Sequence, residues 1–380
     1  MKSKRNLYVL ALGVFGITTT EFGVIGVLPE IALEFNISIE KAGWLLSAFA
    51  LIVAVFGPFM LFIFSSFKRK NLLISSLFIF AVANILSAYI ENFYGLVIVR
   101  MIPAFFHPVY WSIALSVAEK TSDPNDKSKA VGIIFSGLTL ATVLGVPLAT
   151  LMSDLFSWQS SFLLTAIINI IALAGVQFLL PAIEGEAKSP MVFNTKIFYS
   201  KLLWTNLFIA FFTIAAMYST YGYMADFLQK VTRMNGKEIS IMLFLFGTVG
   251  ILGNKAAGKY MSRFPFQTTL FFLIVLSAIH ILIYCYGSLF VPMIWIIGFW
   301  GLIHSGGFLI SNVNVTSSVS DSSEFINSIF TSCGNFAVMA GTLLGGFWIT
   351  HYGIENILWS SFIAITLALI SLFIRKKMRA

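Results

Sequence analysis

Residues 43–64, GWLLSAFALIVAVFGPFMLFIF, run for 22 residues without a single charged side chain. About 20 mostly apolar residues, rising roughly 1.5 Å each, cross a hydrocarbon core of about 30 Å. The stretch is therefore long enough to span a bilayer as a helix. Working outward from it, similar runs lie near 7–28, 72–90, 95–118, 128–151 and 160–181. A second set lies near 203–225, 238–254, 267–286, 289–316, 325–350 and 355–374. Alternating-polarity strands of about ten residues, which a membrane barrel requires, are absent from the sequence, so the spans must satisfy their own backbone groups as helices. The fold class expected is an all-α membrane protein of twelve transmembrane helices.

Composition agrees with a lipid solvent. Of the 380 residues, 58% are apolar and 11% charged, and the mean hydropathy is +0.91, more apolar surface than a water-soluble globule can hide. The net charge of +8 raises the question of a polyanion, and its distribution answers it. With Lys2, Lys4 and Arg5 placed in the cytoplasm, nineteen of the 24 basic residues fall on that side. They include Lys68, Arg69, Lys70, Lys255, Lys259, Arg263, Arg375, Lys376 and Lys377. Only Lys41, Lys230, Arg233 and Lys237 fall on the other side, and Arg100 lies within a span. This is the positive-inside asymmetry. It predicts cytoplasmic termini and assigns the basic charge to topology, with no nucleic-acid partner. The first span is too long, and lacks a small-residue cleavage site, for a removable signal peptide, so it reads as retained. Cys285 and Cys333 are isolated within spans and read as packing residues without a disulfide or metal motif.

The longest polar interruption, 182–200, follows the sixth span and divides the chain into 1–181, a cytoplasmic linker, and 201–380. Gly137, Ala141, Gly145 and Ala149 stand four apart on the fifth span, where small side chains let another backbone approach. Cys333, Ala337, Gly341 and Gly345 repeat that ladder 196 positions later, and Gly57 and Gly253 share the same offset. A duplicated six-helix unit follows, giving two pseudo-symmetric bundles with a solute site at their interface. Read alone, either ladder is equally a common helix-packing device.

Several segments resemble the major facilitator superfamily, and within it the drug:proton antiporter branch that includes sugar-efflux and arabinose-efflux permeases. The similarity rests on Thr19-Thr20-Glu21-Phe22 with Gly26 and Leu28-Pro29-Glu30-Ile31-Ala32, then on Arg100, His107 and Trp111. It continues through Gly145-Val146-Pro147-Leu148 with Trp158, Gly253-Asn254 with Gly258-Lys259, and Asn335 with Gly341, Gly345 and Gly346. Two departures stand out: the loop at 65–70 keeps its bases without the usual acid, and Asp226 stands where relatives often have proline. The resemblance implies proton-coupled efflux of a small drug-like or sugar-like solute by alternating access, in a bacterial inner membrane. Its implied partners are solute, protons and membrane lipid, for a chain working as a monomer. No cofactor is implied, the proton gradient being the energy source. Gly145, Pro147, Gly341 and Gly345 would serve the conformational change.

Glu21, Arg100 and His107 are the candidates for proton coupling, because ionisable groups within a span are costly unless they face a cavity or a partner. Counting along straight helices puts Glu21 roughly 10 Å deep, Arg100 about 7 Å and His107 about 18 Å. Those depths suggest a Glu21–Arg100 pair with His107 below it. Arg100, His107 and Trp111 share one helix face. Burial favours a neutral carboxyl while a nearby guanidinium favours the charged one, so a solute that alters either effect couples its binding to protonation. The alternatives are a permanently charged Glu21–Arg100 structural pair and a satisfied interior histidine. Pro103 and Pro108 weaken helix hydrogen bonding around His107, as a hinge or as fixed kinks. Trp111, Tyr218, Tyr221, Phe336 and Asn335 are candidates for the solute site, against a bland reading as packing or lipid-facing side chains.

Gly253-Asn254-Lys255-Ala256-Ala257-Gly258-Lys259-Tyr260 imitates a phosphate-binding loop but ends in Tyr and follows no strand. No ATP site is expected there. The four histidines, His107, His280, His304 and His351, lie in different segments and give a metal little support. Nutrient uptake or uniport on the same fold is the competing transport reading. A membrane-embedded enzyme would need clustered acids, bases or nucleophiles at a membrane surface, and the longest loop offers only Glu184, Glu186 and Lys188.

Overall fold

The computed structural model describes residues 2–64, 67–121, 127–181, 199–318 and 324–379. Ser65, Ser66 and nearly all of the expected linker at 182–200 lie outside the described residues. Among the described residues, twelve helical spans are long and apolar enough to cross a membrane. They are α1 (Arg5–Glu34), α2 (Ile39–Met60), α3 (Arg69–Tyr89), α4 (Phe93–Ala118), α5 (Ala130–Leu155) and α6 (Trp158–Leu179), followed by α7 (Lys201–Lys230), α8 (Gly236–Met261), α9 (Pro265–Tyr286), α10 (Phe290–Thr316), α11 (Ile326–Tyr352) and α12 (Ile354–Met378). The outer surface is apolar: Phe178 is 82% and Trp295 71% exposed, as a lipid-facing surface requires.

The two halves pack alike. α1 lies against α5 as α7 lies against α11, α2 against α4 as α8 against α10, and α3 against α6 as α9 against α12. The small-residue ladders explain the first correspondence. A Cβ at Gly137 would collide with the Ala11 carbonyl and one at Gly145 with Thr19, so α5 rides directly on α1. Gly341 and Gly345 meet the Ala215 and Ser219 carbonyls, so α11 rides on α7 in the same manner. Gly57 faces Pro108 at 3.6 Å, and Gly253 abuts the Leu302 carbonyl.

Several spans lose regular helix partway along. α1 is helical to Phe22, tightens into a 3-10 turn over Gly23–Val27, and resumes at Leu28–Glu34. α7 breaks at Gly222–Tyr223, α4 at Phe105–Phe106 and α10 at Ser305–Gly306. In α4 the cause is local: Pro103 and Pro108 flank the break, and each removes an amide donor from the ladder. Pro147 has a related effect on α5, where Ala141–Gly145 widens into a π-helical turn just before it. α8 is longer than the sequence suggests, continuing to Met261. Gly253–Tyr260 is therefore helix rather than loop, with its amides already engaged.

The halves touch through α2 with α11 and through α5 with α8. The closest of these approaches gather at the end of the bundle remote from the chain termini, here the far end. Ser240 Oγ on α8 donates to the Pro147 carbonyl at 2.8 Å, and Thr350 donates to Glu40. Gly247 lies against the backbone of Thr142 and Val143, Gly236 against Asp154, and Gly346 against Glu40 and Tyr223. Tyr223 also closes over Gly43 while its hydroxyl donates to the Thr342 carbonyl at 2.9 Å.

Candidate functional site

α1 is the most buried span, and Thr18, Thr19, Thr20 and Glu21 are all at most 4% exposed. Thr19 Oγ1 donates to the Phe15 carbonyl at 2.7 Å and Thr20 Oγ1 to the Gly16 carbonyl at 3.0 Å. Such back-bonding loosens a helix, and the 3-10 turn begins three residues later. Thr20 is also a hub: its Oγ1 accepts from Asn84 Nδ2 of α3 at 2.9 Å and Asn169 Nδ2 of α6 at 3.2 Å. Its carbonyl accepts from Arg100 Nη2 of α4 at 2.8 Å. Four helices are thus tied at one level by uncharged acceptors and a single guanidinium.

Arg100 is 2% exposed and lies over the Phe162 ring, 5.2 Å from its centroid. Glu21 instead approaches His107, with Oε2 3.2 Å from Nε2 and side chains 6% and 10% exposed. The approach has ion-pair distance without hydrogen-bond alignment, since His107 Nε2 has no hydrogen-bond partner. Phe49 and Phe80 flank the imidazole at 5.8 and 6.4 Å. The pairing expected from helix counting is refined: Glu21 makes its close contact with His107, while Arg100 hydrogen-bonds a carbonyl and lies over a ring within electrostatic reach of Glu21. Straight-helix depths mislead here because a 3-10 residue rises about 2.0 Å rather than 1.5 Å and α4 is interrupted just before His107. The same interruption limits the shared face: Arg100 and His107 both turn to α1, while Trp111 packs on Phe135 of α5 at 5.4 Å.

Across the interface, Phe22 meets Tyr218 of α7 with ring centroids 5.7 Å apart. Tyr218 and Tyr221 lie together at 5.9 Å. Of the five solute-site candidates only these two are brought into one cluster. Phe336 is 36% exposed, and the Asn335 amide donates to the Thr331 carbonyl of its own helix at 3.0 Å. Gly145, Gly341 and Gly345 contact helices of their own half, whereas the Pro147 carbonyl reaches across to α8. Asp226, the departure noted in α7, lies 2.8 Å from Lys230 Nζ near the far end.

Sequence reasoning missed Asn84, Asn169, Phe246 and two histidines. His280 is fully buried between Thr220 Oγ1 at 3.2 Å and Ser361 Oγ at 3.3 Å, joining α7, α9 and α12. His304 sits against Tyr221, with centroids 4.9 Å apart. A comparison of the halves that allowed a one-residue slip from the 196-residue offset would have matched His304 to His107. Among the described residues no group of three or more His, Cys, Asp or Glu is placed to hold a metal.

Among the described residues, twelve spans packed as two like bundles have the architecture of a membrane transporter. The chain belongs to the Major Facilitator Superfamily, whose profile matches residues 10–325. Among its relatives is a protein described as a probable sugar efflux transporter of Pasteurella multocida (strain Pm70). It is 28% identical over 348 residues, covering 91% of this chain and 86% of that one. The inner membrane transport protein YdhP of Escherichia coli (strain K12) is 32% identical over 283 residues, covering 74% and 73%. Among solved structures, a bacterial homolog of the human lysosomal transporter Spinster, inward-facing and occupied, superposes with a TM-score of 0.78 at 14% identity, covering 98% of this chain and 96% of that one. The nucleoside transporter NupG gives 0.75 at 13% identity, with each chain fully covered. At these identities the structures establish the fold.

Proposed function

We propose that this transporter exports a small sugar-like or amphipathic solute from a bacterial cytoplasm in exchange for protons, the two bundles rocking about a site between them. The observation that carries the reading is the Glu21–His107 pair, buried in α1 and α4 beside Phe22, whose ring meets Tyr218 of the opposite bundle. A titratable pair within reach of both halves is what coupling requires, because solute or bundle movement then alters the stability of one protonation state. Glu21 also acts electrostatically on Arg100, and the close Glu21–His107 contact is what a purely structural Glu21–Arg100 pair leaves unexplained. The positive-inside asymmetry favours cytoplasmic termini, so the closed far end would face outward. The names of the relatives favour sugar efflux and an inner membrane. One proton entering down 100 mV supplies about 2.3 kcal/mol, roughly a fifty-fold gradient at about 1.4 kcal/mol per tenfold.

The test is proton release on adding solute to purified protein in weak buffer, beside uphill transport in proteoliposomes with an imposed pH gradient. Glu21→Gln keeps size and hydrogen bonding but removes the proton, so uphill transport should vanish while passive exchange persists. Undiminished proton release from the variant would remove Glu21 from the coupling role. An imposed gradient without effect on wild type would favour uniport.

A further inference from the structure

Each bundle's leading span is held, just before its break, by a polar residue of the third span, and the two holders obey the repeat. Asn84 of α3 and His280 of α9 are 196 positions apart. So are Leu28–Glu34 and Met224–Lys230, the seven-residue helices that follow the breaks in α1 and α7. Those two segments pack on each other across the interface at the far end. Paired hydroxyls precede both breaks: Thr19 and Thr20 in α1, Ser219 and Thr220 in α7. Ser219 Oγ donates to the Ala216 carbonyl at 3.0 Å and Thr220 Oγ1 to the Met217 carbonyl at 3.3 Å, the same loosening back-bonds as in α1. The second pair stands 200 positions after the first, about one helical turn beyond the repeat. The helix of α7 accordingly runs on to Tyr221, and its break is confined to Gly222 and Tyr223.

The second hydroxyl of each pair is the one held. Asn84 donates to Thr20, and His280 Nε2 lies 3.2 Å from Thr220 Oγ1. The sixth span completes each hub, through Asn169 in the first bundle and, in the second, through Ser361 Oγ at 3.3 Å from His280 Nδ1. The hydrogen positions in the second hub follow from its partners. The Thr220 hydroxyl directs its own hydrogen to the Met217 carbonyl, so its oxygen accepts and His280 Nε2 donates. In a neutral imidazole Nδ1 then accepts from the Ser361 hydroxyl. One neutral tautomer thus satisfies both nitrogens of a fully buried ring, which Trp300 and Phe362 cover at 5.7 and 6.2 Å. From this pin a short path leads to the far end. The Thr220 carbonyl accepts from the Tyr223 N–H at 3.1 Å, and Tyr223 is the side chain that closes over Gly43 of the first bundle.

Resting on the alternating-access reading above, we propose that His280 is a positioning residue of the far-end closure. Fixed between Thr220 and Ser361, it anchors α7 up to its break and so aims Tyr223 and the Met224–Lys230 segment at the first bundle. The anchor bears on one state more than the other. While the far end is closed, Tyr223 has to be held in one orientation against Gly43; once the bundles part, it has no partner there to be held for. A freed Thr220 therefore adds an ordering cost to closure, of the size of fixing one backbone residue. A role in packing alone predicts something else: both states would lose stability alike, and any side chain of similar volume would make the loss good.

The experiment measures the ratio of open to closed far ends in the full chain, in lipid nanodiscs without solute, from spin labels at exposed Leu155 of α5 and Lys237 of α8. The background carries Cys285→Ser and Cys333→Ala, together with Gly247→Ala, whose Cβ would collide with the backbone of α5 and so supplies a measurable open population. Adding His280→Leu, which fills the space without a hydrogen bond, should raise the ratio about fivefold, the equivalent of about 1 kcal/mol. Thr220→Val should do the same, and the two together should do no more than either alone. His280→Gln, whose amide both donates and accepts, should restore the ratio. Nitrogen shifts of His280 in labelled protein should show one neutral ring with its hydrogen on Nε2. If His280→Leu fails to fold, Thr220→Val and the nitrogen shifts decide the matter. An unchanged ratio in folded His280→Leu or Thr220→Val, additive effects in the double variant, no recovery with His280→Gln, or a charged ring overturns the assignment. A far end that opens with Gly247→Ala but is indifferent to His280→Leu removes the anchor and leaves the rocking intact. One that opens in none of the variants removes both.

Discussion

Replacing Gly247 with alanine should shift the conformational balance of the transporter away from the state described here. A Cβ at Gly247 would stand 2.7 Å from Val143 Cα and 2.8 Å from the Thr142 carbonyl oxygen, both backbone atoms of α5 across the interface. Backbone gives way less readily than a flexible side chain, so the overlap must be relieved by moving α5 and α8 apart. Overpacking by a methyl in a close-packed contact costs about 1–3 kcal/mol. On the alternating-access reading proposed above, the cost arises only while the far end is closed, because α5 and α8 part there when the bundles rock. A difference of about 1–3 kcal/mol between two states changes their ratio by about 5- to 150-fold. Gly145→Ala is the matched control: its clash is with Thr19 of the same bundle, so it burdens both states and lowers stability without moving the ratio. Spin labels at Leu155, 58% exposed on α5, and at exposed Lys237 on α8 report the far-end separation in a Cys285→Ser, Cys333→Ala background. Gly247→Ala should add a long-distance population absent from wild type and from Gly145→Ala. Identical distance distributions for all three proteins, or an equal shift in both variants, would refute the account of the interface.

Ser240→Ala removes the 2.8 Å bond to the Pro147 carbonyl and should open the far end in the same direction by a smaller factor, about 2- to 10-fold for about 0.5–1.5 kcal/mol; the same label pair measures it. Asn84→Ala strips the Thr20 hub of a buried donor and should lower the free energy of unfolding in detergent by about 1–3 kcal/mol, whereas an unchanged thermal midpoint would deny the hub a structural role. Arg100→Ala should reduce transport at least about tenfold at equal protein levels, because it leaves the buried Thr20 carbonyl without its charge-assisted donor. Arg69→Ala, which loses one bond to Ser116 at 2.9 Å, should change transport by less than about twofold; equal losses would end the distinction between them.

Span identity was legible because bilayer thickness imposes a length that apolar runs must meet. The second span, read as 43–64, is helical over Trp44–Ile63 and is preceded by a short helix at Ile39–Ala42. The repeat was legible too, since Gly145 and Gly341 each leave room for an inter-helix approach that a larger residue would block. The partners of the polar side chains were not legible. Spacing along one helix says which residues share its face, but which neighbour that face meets depends on crossings that no single helix encodes. Arg100 was matched to Glu21 by depth alone, and the depth was distorted by a 3-10 turn and a break whose positions depend on tertiary packing. Gly247 passed unnoticed because it belongs to no ladder, yet it forms one of the closest contacts between the halves.

The two kinds of glycine separate two physical tasks. Ladder glycines such as Gly137, Gly145, Gly341 and Gly345 let α5 and α11 lie on α1 and α7 inside each bundle, making each half a rigid body. Interface glycines such as Gly236, Gly247 and Gly346 let one rigid body close upon the other at the far end. Between these regions the breaks in α1, α4, α7 and α10 place Glu21, His107, Tyr221 and His304 where backbone geometry is least regular. Discontinuous helices near the bundle interface free polar groups for a site that a regular helix would keep engaged. On one side of the interface lies the Glu21–His107 pair and on the other an aromatic cluster around His304, with Phe22 and Tyr218 as the contact between them. Because those two rings belong to different bundles, rocking cannot leave both environments unchanged.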